Sequence, residues 1–444
     1  MKSDTICAIA TPIGIGGVGV IRISGPESAS IISKLFKASG GKSAKDFEHA
    51  RMYFGKIDLG GFYDNCLCVL FKAPKSFTGE DVAELHCHGG VTLLNRALER
   101  IIDCGARLAE CGEFTKRAFI NGKLDLSECE GLIDIINAQS EAALSAASHI
   151  ADGELSRRIK QLQDTLKDLL SFVEVSIDYS EEDIQEMGKG QIAGALKDLS
   201  GKLKDLAKGY SSGRRIKEGV TVALCGKPNV GKSSLFNALL GYQRAIVTDI
   251  AGTTRDALES GYLYNGVLFN LIDTAGIRQS DEIIEGKGIE ISKKYIASSD
   301  IAVFVAEEAR LSDEDKEILA LLKDKKHIKV LNKSDIRKDK SGGFDLLVSA
   351  LTGQNIEELK KMLYRETIGG VYGGGLILTN YRHYDAVKRA AEIIDDTIKQ
   401  IDVMYMDMLA HALRLSWETL GEITGETSIE SVIDNIFGRF CLGK

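Results

Sequence analysis

The run Gly226-Lys-Pro-Asn-Val-Gly231-Lys232-Ser233 constrains this chain more than any other feature. It follows a strand-like apolar run, Val220–Cys225, and precedes a helix-like one, Leu235–Leu240. A glycine loop between strand and helix lets backbone N–H groups wrap phosphates, and the helix N-terminus adds a favourable dipole. Lys232 would reach the β/γ-phosphates, and the Ser233 hydroxyl would ligate Mg²⁺. Further apolar runs at 268–272, 301–306, 328–331 and 346–348 are separated by helix-length segments, the spacing of βαβ units and a mostly parallel sheet.

The flanking sequence has a different rhythm. Ile159, Leu162, Leu166, Leu169 and Val173 step by three and four, so they share one helix face. Val387, Ala390, Ile394, Ile398, Ile401, Met404 and Met408 repeat the pattern near the C-terminus. The glycine-rich stretches 209–213 and 369–375 read as linkers. The economical organisation is an α/β domain at 213–371 inserted into a helical domain made of 120–212 and 372–444. Residues 1–119, with short strand-like runs and a helix at 93–103, read as a separate α+β domain.

Composition narrows the class. At roughly 100–200 residues per domain, 444 residues suffice for two to four cores. Nine scattered cysteines suit a reducing cytosol rather than a disulfide framework. No run approaches the roughly 20 apolar residues of a membrane span, so a cytoplasmic protein without membrane association is expected. A net charge of −8 excludes a generally basic nucleic-acid coat, and any RNA must meet a local patch or a partner.

The nucleotide site gains specificity downstream. Asp273, Thr274, Ala275 and Gly276 end a strand, where Asp273 can hold Mg²⁺ through water and the Gly276 N–H can sense a γ-phosphate. Asn332, Lys333 and Asp335 end another, and a carboxylate such as Asp335 accepts both guanine N1–H and N2–H₂, a pattern adenine lacks. Ser349, Ala350 and Leu351 add a backbone contact to the base. In this order the motifs resemble a translation-factor-like GTPase domain. Ile277 stands where Ras-like enzymes place a water-orienting Gln; an apolar side chain cannot align water, so another group serves or the domain binds GTP with little hydrolysis.

Asp249-Ile250-Ala251-Gly252-Thr253-Thr254-Arg255-Asp256, with Asn229 inside the glycine loop, resembles the potassium-activated GTPases. That resemblance implies K⁺ held by Asn229, Thr248, Ile250 and Thr253, Thr254 in the Mg²⁺ shell, and G domains that dimerise across their nucleotide faces. It also places Val230, Ser234, Asp249, Ala251 and Gly252 around the nucleotide.

Three more blocks are the run 78–90 (Thr-Gly-Glu-Asp-Val-Ala-Glu-Leu-His-Cys-His-Gly-Gly), the run 112–125 beginning Gly-Glu-Phe-Thr, and the terminal Phe440-Cys441-Leu442-Gly443-Lys444. Together these resemble the MnmE (TrmE) family of bacterial tRNA-modification GTPases from Asp4 to Lys444, with Leu442 where the family usually has Ile. The resemblance implies a multidomain chain: an α+β N-terminal folate-binding and dimerisation domain, a discontinuous helical domain, and an inserted α/β P-loop GTPase domain. It implies a homodimer acting with an FAD-dependent partner, MnmG, in a heterotetramer or larger assembly, with FAD carried by that partner. The reaction builds an aminomethyl or carboxymethylaminomethyl group on C5 of a tRNA wobble uridine. A 5-formyl- or methylene-tetrahydrofolate is the implied one-carbon source, held by Arg22, Glu84, Lys123 and Lys444. Glu285 corresponds to the residue orienting the attacking water, and Cys441 is a candidate for thiol chemistry on the uridine. Rival readings are a ribosome-assembly GTPase without tRNA chemistry and a folate-dependent one-carbon transferase with a regulatory GTPase.

Two signals lose weight on inspection. Gly14-Ile-Gly16-Gly17-Val-Gly19 satisfies G-x-G-x-x-G, yet the strand-like Val20–Ser24 follows where a dinucleotide site needs a helix. Cys66-x-Cys68 and His86-Cys87-His88 lack the spacing of structural zinc sites.

Overall fold

A computed structural model describes residues 4–178, 188–241, 260–273, 295–336, 342–369, 375–440 and 443. The chain forms two compact units, one of residues 1–133 with 421–444 and one of residues 134–420.

The first unit is built on a seven-stranded sheet in the order β3-β4-β5-β6-β2-β1-β7. Its strands are β1 (Ile6–Ile9), β2 (Gly16–Ser24), β3 (Phe36–Ala38), β4 (Met52–Asp58), β5 (Tyr63–Phe71), β6 (Val82–Gly89) and β7 (Arg107–Leu108). Only the β1–β7 pair is parallel. Side chains alternate across a strand, so Ile21, Ile23, Leu85, Cys66, Cys68 and Cys87 enter one core. Helices α1 (Ser28–Leu35) and α2 (Val91–Asp103) cover that core with Ile31, Ile32, Leu94, Ala97 and Ile101. The three cysteines therefore act as small apolar side chains. The glycine loop runs into β2 rather than a helix, and a Cβ on Gly19 would stand 2.4 Å from Leu94. That glycine permits close packing of α2.

Helix α3 (Glu113–Ile120) and the start of α4 (Leu126–Asn137) meet the last helix, Glu430–Phe437. Ile436, Phe437 and Phe440 bury against Leu126 and Cys129, and Lys116 pairs with Asp434 at 2.6 Å. Gly443, at φ 94°, lies so close to β1 that a Cβ would stand 2.4 Å from the Ile9 carbonyl oxygen. The chain end thus groups with the N-terminal sheet in one compact unit, and so do residues 120–133.

In the second unit, α5 (Glu141–Ala151) and α6 (Glu154–Asp178) precede α7 (Lys189–Lys208). The α6 stripe Ile159, Leu162, Leu166, Leu169 and Val173 is buried, as are Ile192, Leu196, Leu199 and Leu203 of α7. Residues 209–213 are not a flexible linker. They open α8 (Tyr210–Glu218), and Gly213 is required because a Cβ there would stand 2.1 Å from the Leu378 carbonyl oxygen. Arg214 and Arg215 both donate to Asp300, at 2.9 and 3.1 Å, while Lys217 pairs with Asp134 at 2.8 Å.

The inserted sheet has the order β13-β12-β11-β8-β10-β9, parallel except for β9–β10. Its strands are β8 (Val220–Cys225), β9 (Ser260–Tyr264), β10 (Val267–Asp273), β11 (Ile301–Ala306), β12 (His327–Leu331) and β13 (Leu346–Leu347). Helices α9 (Lys232–Leu240), α10 (Asp313–Leu321) and α11 (Ile356–Thr367) belong to the same domain. Every residue of β11 is buried, the pattern of a parallel strand covered on both faces.

The C-terminal apolar stripe is interrupted. Helix α12 (Tyr381–Gln400) buries Val387, Ala390 and Ile394, the chain turns, and α13 (Met406–Thr424) begins anew. Met404 is only half-buried and Met408 is exposed, so neither continues the α12 stripe. Among the described residues, no helix is long and apolar enough to cross a membrane.

Candidate functional site: a phosphate cradle at the carboxyl edge of the parallel sheet

Strand β8 lies between β10 and β11, so the chain leaving it emerges where the strand order reverses. Ligands of open α/β sheets bind at such a point. Gly226, at φ 149°, leaves β8 where a Cβ would stand 2.2 Å from the Val305 carbonyl oxygen. Asn229 and Gly231 adopt φ 65° and 93°, and α9 starts at Lys232. Left-handed turns ahead of a helix gather backbone N–H groups into a concave nest for anions. Lys232 is 7% exposed, and its Nζ donates to the carbonyl oxygens of Gly226 at 2.9 Å and Lys227 at 2.5 Å. The ammonium is therefore held inside the loop, where a phosphate would meet it.

The residues expected at the base end gather beside the loop. The Asn332 amide donates to the Val230 carbonyl at 3.0 Å, and its Oδ1 accepts from the Ala350 N–H at 3.1 Å. Lys333, in the left-handed region at φ 63°, donates to the Asn229 carbonyl at 3.2 Å and pairs with Glu307. Asp335 accepts from the Ser349 hydroxyl at 2.5 Å, which leaves a carboxylate oriented by a buried partner. Leu351 is 85% exposed at the rim. Asp273 closes β10 in register with Leu224, and Ser233 and Ser234 occupy the first turn of α9. A hydroxyl at a helix start and a strand-end carboxylate are hard oxygen donors, a set that fits Mg²⁺.

One part of this site was not anticipated from sequence. Lys227 reaches away from the loop to Asp315 and to the Ser312 hydroxyl, each at 3.0 Å. Ser312 and Asp315 form the capping box of α10. Burial tends to raise the Asp315 carboxyl, but the bonds from Ser312 and the Lys227 ammonium outweigh it and hold the group below its ordinary range. The pair is separated by 88 positions, so no local pattern announces it.

The expected folate residues lie in the first unit. Arg22 and Glu84 are cross-strand partners on β2 and β6, joined at 2.9 Å on the sheet face opposite α1 and α2. The guanidinium sits 5.6 Å from the Phe77 ring centre and 5.8 Å from that of Phe114. His86 lies 3.4 Å from the second Glu84 oxygen. Lys123 donates to the Pro74 carbonyl at 3.0 Å, on the loop that carries Phe77. Arg22, Glu84 and Lys123 thus border the segment 74–84, a mixed charged and aromatic surface. Phe77 was not picked out from sequence, and His86 and Phe114, though inside the quoted blocks 78–90 and 112–125, were given no role beside Arg22 and Glu84. Thr248, Asp249, Ile250, Ala251, Gly252, Thr253, Thr254, Thr274, Ala275, Gly276, Glu285, Cys441 and Lys444 lie outside the described residues.

The cradle, the residues gathered beside it and the mostly parallel sheet define a P-loop GTPase. Comparison with known proteins places that domain in its full-length setting. Residues 5–123 match the family described as GTP-binding protein TrmE N-terminus, and 126–441 match the MnmE helical domain. The chain is 41% identical over 457 residues to the tRNA modification GTPase MnmE of Clostridioides difficile, covering 99% of each protein. It is 39% identical over 458 residues to that of Geobacillus thermodenitrificans, again covering 99% of each. Among solved structures, the G domain of the T. maritima FeoB iron transporter is similar at 28% identity, with 33% of this chain and 97% of that one covered and a TM-score of 0.24. The chain belongs to the MnmE (TrmE) family of tRNA modification GTPases.

Proposed function

We propose that this GTPase, acting with an FAD-dependent MnmG-type partner, installs an aminomethyl or carboxymethylaminomethyl group at C5 of the tRNA wobble uridine. The full-length match, which includes the N-terminal domain as well as the GTPase domain, carries this reading. A reduced folate bound to the first unit would supply the one-carbon unit. The chain's own contribution there is recognition: the Arg22–Glu84 pair offers one cation and one carboxylate to a heteroaromatic edge, and Phe77 and Phe114 flank the guanidinium. Lys123 and the chain end carrying Lys444 would meet an anionic tail.

In the second unit, the loop 226–231 and Lys232 bind and orient the triphosphate, and Asp335 selects guanine. The homodimer would bring two G domains together, with K⁺ held in part by Asn229 assisting turnover. Glu285 would orient water and Cys441 would serve the uridine chemistry. GTP turnover in K⁺ against Na⁺ at equal ionic strength tests the cation: faster turnover in K⁺ supports it, and equal rates contradict it.

Nucleoside analysis of tRNA from a strain lacking this chain tests the function itself. Loss of the C5-modified wobble uridine is the expected result. Unchanged tRNA with defective ribosomes would instead indicate an assembly GTPase, and unchanged tRNA with altered folate pools a one-carbon transferase.

A further inference from the structure

We infer that Lys227 and Asp315 form a positioning pair for GTP binding, pinning the first arm of the phosphate loop to the start of α10. The loop is fixed at its other end by the α9 helix and by Asn332, which bonds the Val230 carbonyl. Its first arm leaves β8 at Gly226 and then runs through residues that belong to neither strand nor helix. Gly226 is pressed on Val305, and from there the chain must turn through Lys227 and Pro228 to Asn229. The Lys227 carbonyl points inward, accepting from the Lys232 ammonium at 2.5 Å. The Lys227 side chain points outward to Asp315 and Ser312.

The arm is thus held from both sides through one residue. Its outer anchor is stiff, because Asp315 is 2% exposed and also accepts from the Ser312 N–H at 2.9 Å and the Ser312 hydroxyl at 2.8 Å. Among the described residues, the other Asp315 oxygen, Oδ1, is buried without a donor, and the Lys227 ammonium is the one opposite charge in direct contact with the carboxylate. Without that ammonium, the carboxylate would have to rearrange and the arm would lose its outer tether. A loop that samples more conformations before binding binds nucleotide more weakly, since only part of its population is competent.

Lys227 touches no reacting atom in this account. It acts through the position of the backbone that carries Gly226, Asn229 and Gly231.

The test uses the full-length chain with GDP and GTP as probes, and active sites are counted by titration so that misfolded protein does not enter the constants. Lys227→Met should raise the GDP Kd and the GTP KM together by about tenfold, the scale of one charge-assisted hydrogen bond. Lys227→Arg should recover most of the loss. Asp315→Asn should shift both constants in the same direction, and the double substitution should cost little more than Lys227→Met alone. Unchanged constants in Lys227→Met would overturn the inference. So would a loss confined to the number of titratable sites, which marks a folding role, or fully additive effects in the double variant.

Discussion

In the proposed function a single side chain, Asp335, sets which nucleotide the site accepts. Its carboxylate is oriented by the buried Ser349 hydroxyl, so it would meet the base already placed. Asp335→Asn exchanges an acceptor oxygen for an amide donor, which opposes the guanine N–H groups and complements the oxygen of xanthine. GTP affinity should fall about a hundredfold, the scale of two charged hydrogen bonds, while XTP affinity should rise. Competition of both nucleotides against a fluorescent GDP reads this, and an unchanged preference would remove Asp335 from base recognition. At this scale the sequence is most legible where one short motif supplies both residue type and backbone shape, as at Gly226–Ser233. Lys227–Asp315 and Arg22–Phe77 were illegible for the opposite reason: separate elements create them.

At the level of elements, glycine has two opposed meanings within the same unit. Gly201 lies in the interior of α7 with nothing within 4 Å of an added Cβ. Gly201→Ala should therefore stabilise by about 0.5–1 kcal/mol, the ordinary difference in helix propensity. Gly213 is also helical, yet a Cβ there would meet the Leu378 carbonyl oxygen at 2.1 Å. Gly213→Ala should destabilise by about 1–3 kcal/mol, as overpacking does. Urea unfolding of the two variants should show midpoints moving in opposite directions, and a shared direction would contradict the packing assigned to α8. Composition alone made the stretch 209–213 look like a linker, because the close approach depends on residues more than 160 positions away. The break between α12 and α13 was hidden differently. No Gly or Pro marks residues 401–405, and apolar residues keep their spacing across the turn.

Across the whole molecule, the alternation of short strands with helices was enough to locate the inserted α/β domain, since that rhythm is local. The grouping of the chain end with the first 133 residues was not, because Phe437 and Phe440 find their partners more than 300 positions away. That grouping gives the N-terminal and C-terminal sequence blocks a shared compact unit, while the nucleotide cradle belongs to the other. The central claim is that GTP turnover in one unit serves tRNA chemistry. A strain whose only copy carries Lys232→Ala, expressed at the wild-type level, tests this most directly through the nucleoside composition of its tRNA. The C5-modified wobble uridine should fall to the level of a deletion strain. Full modification in that strain would separate the nucleotide site from the chemistry and contradict the account.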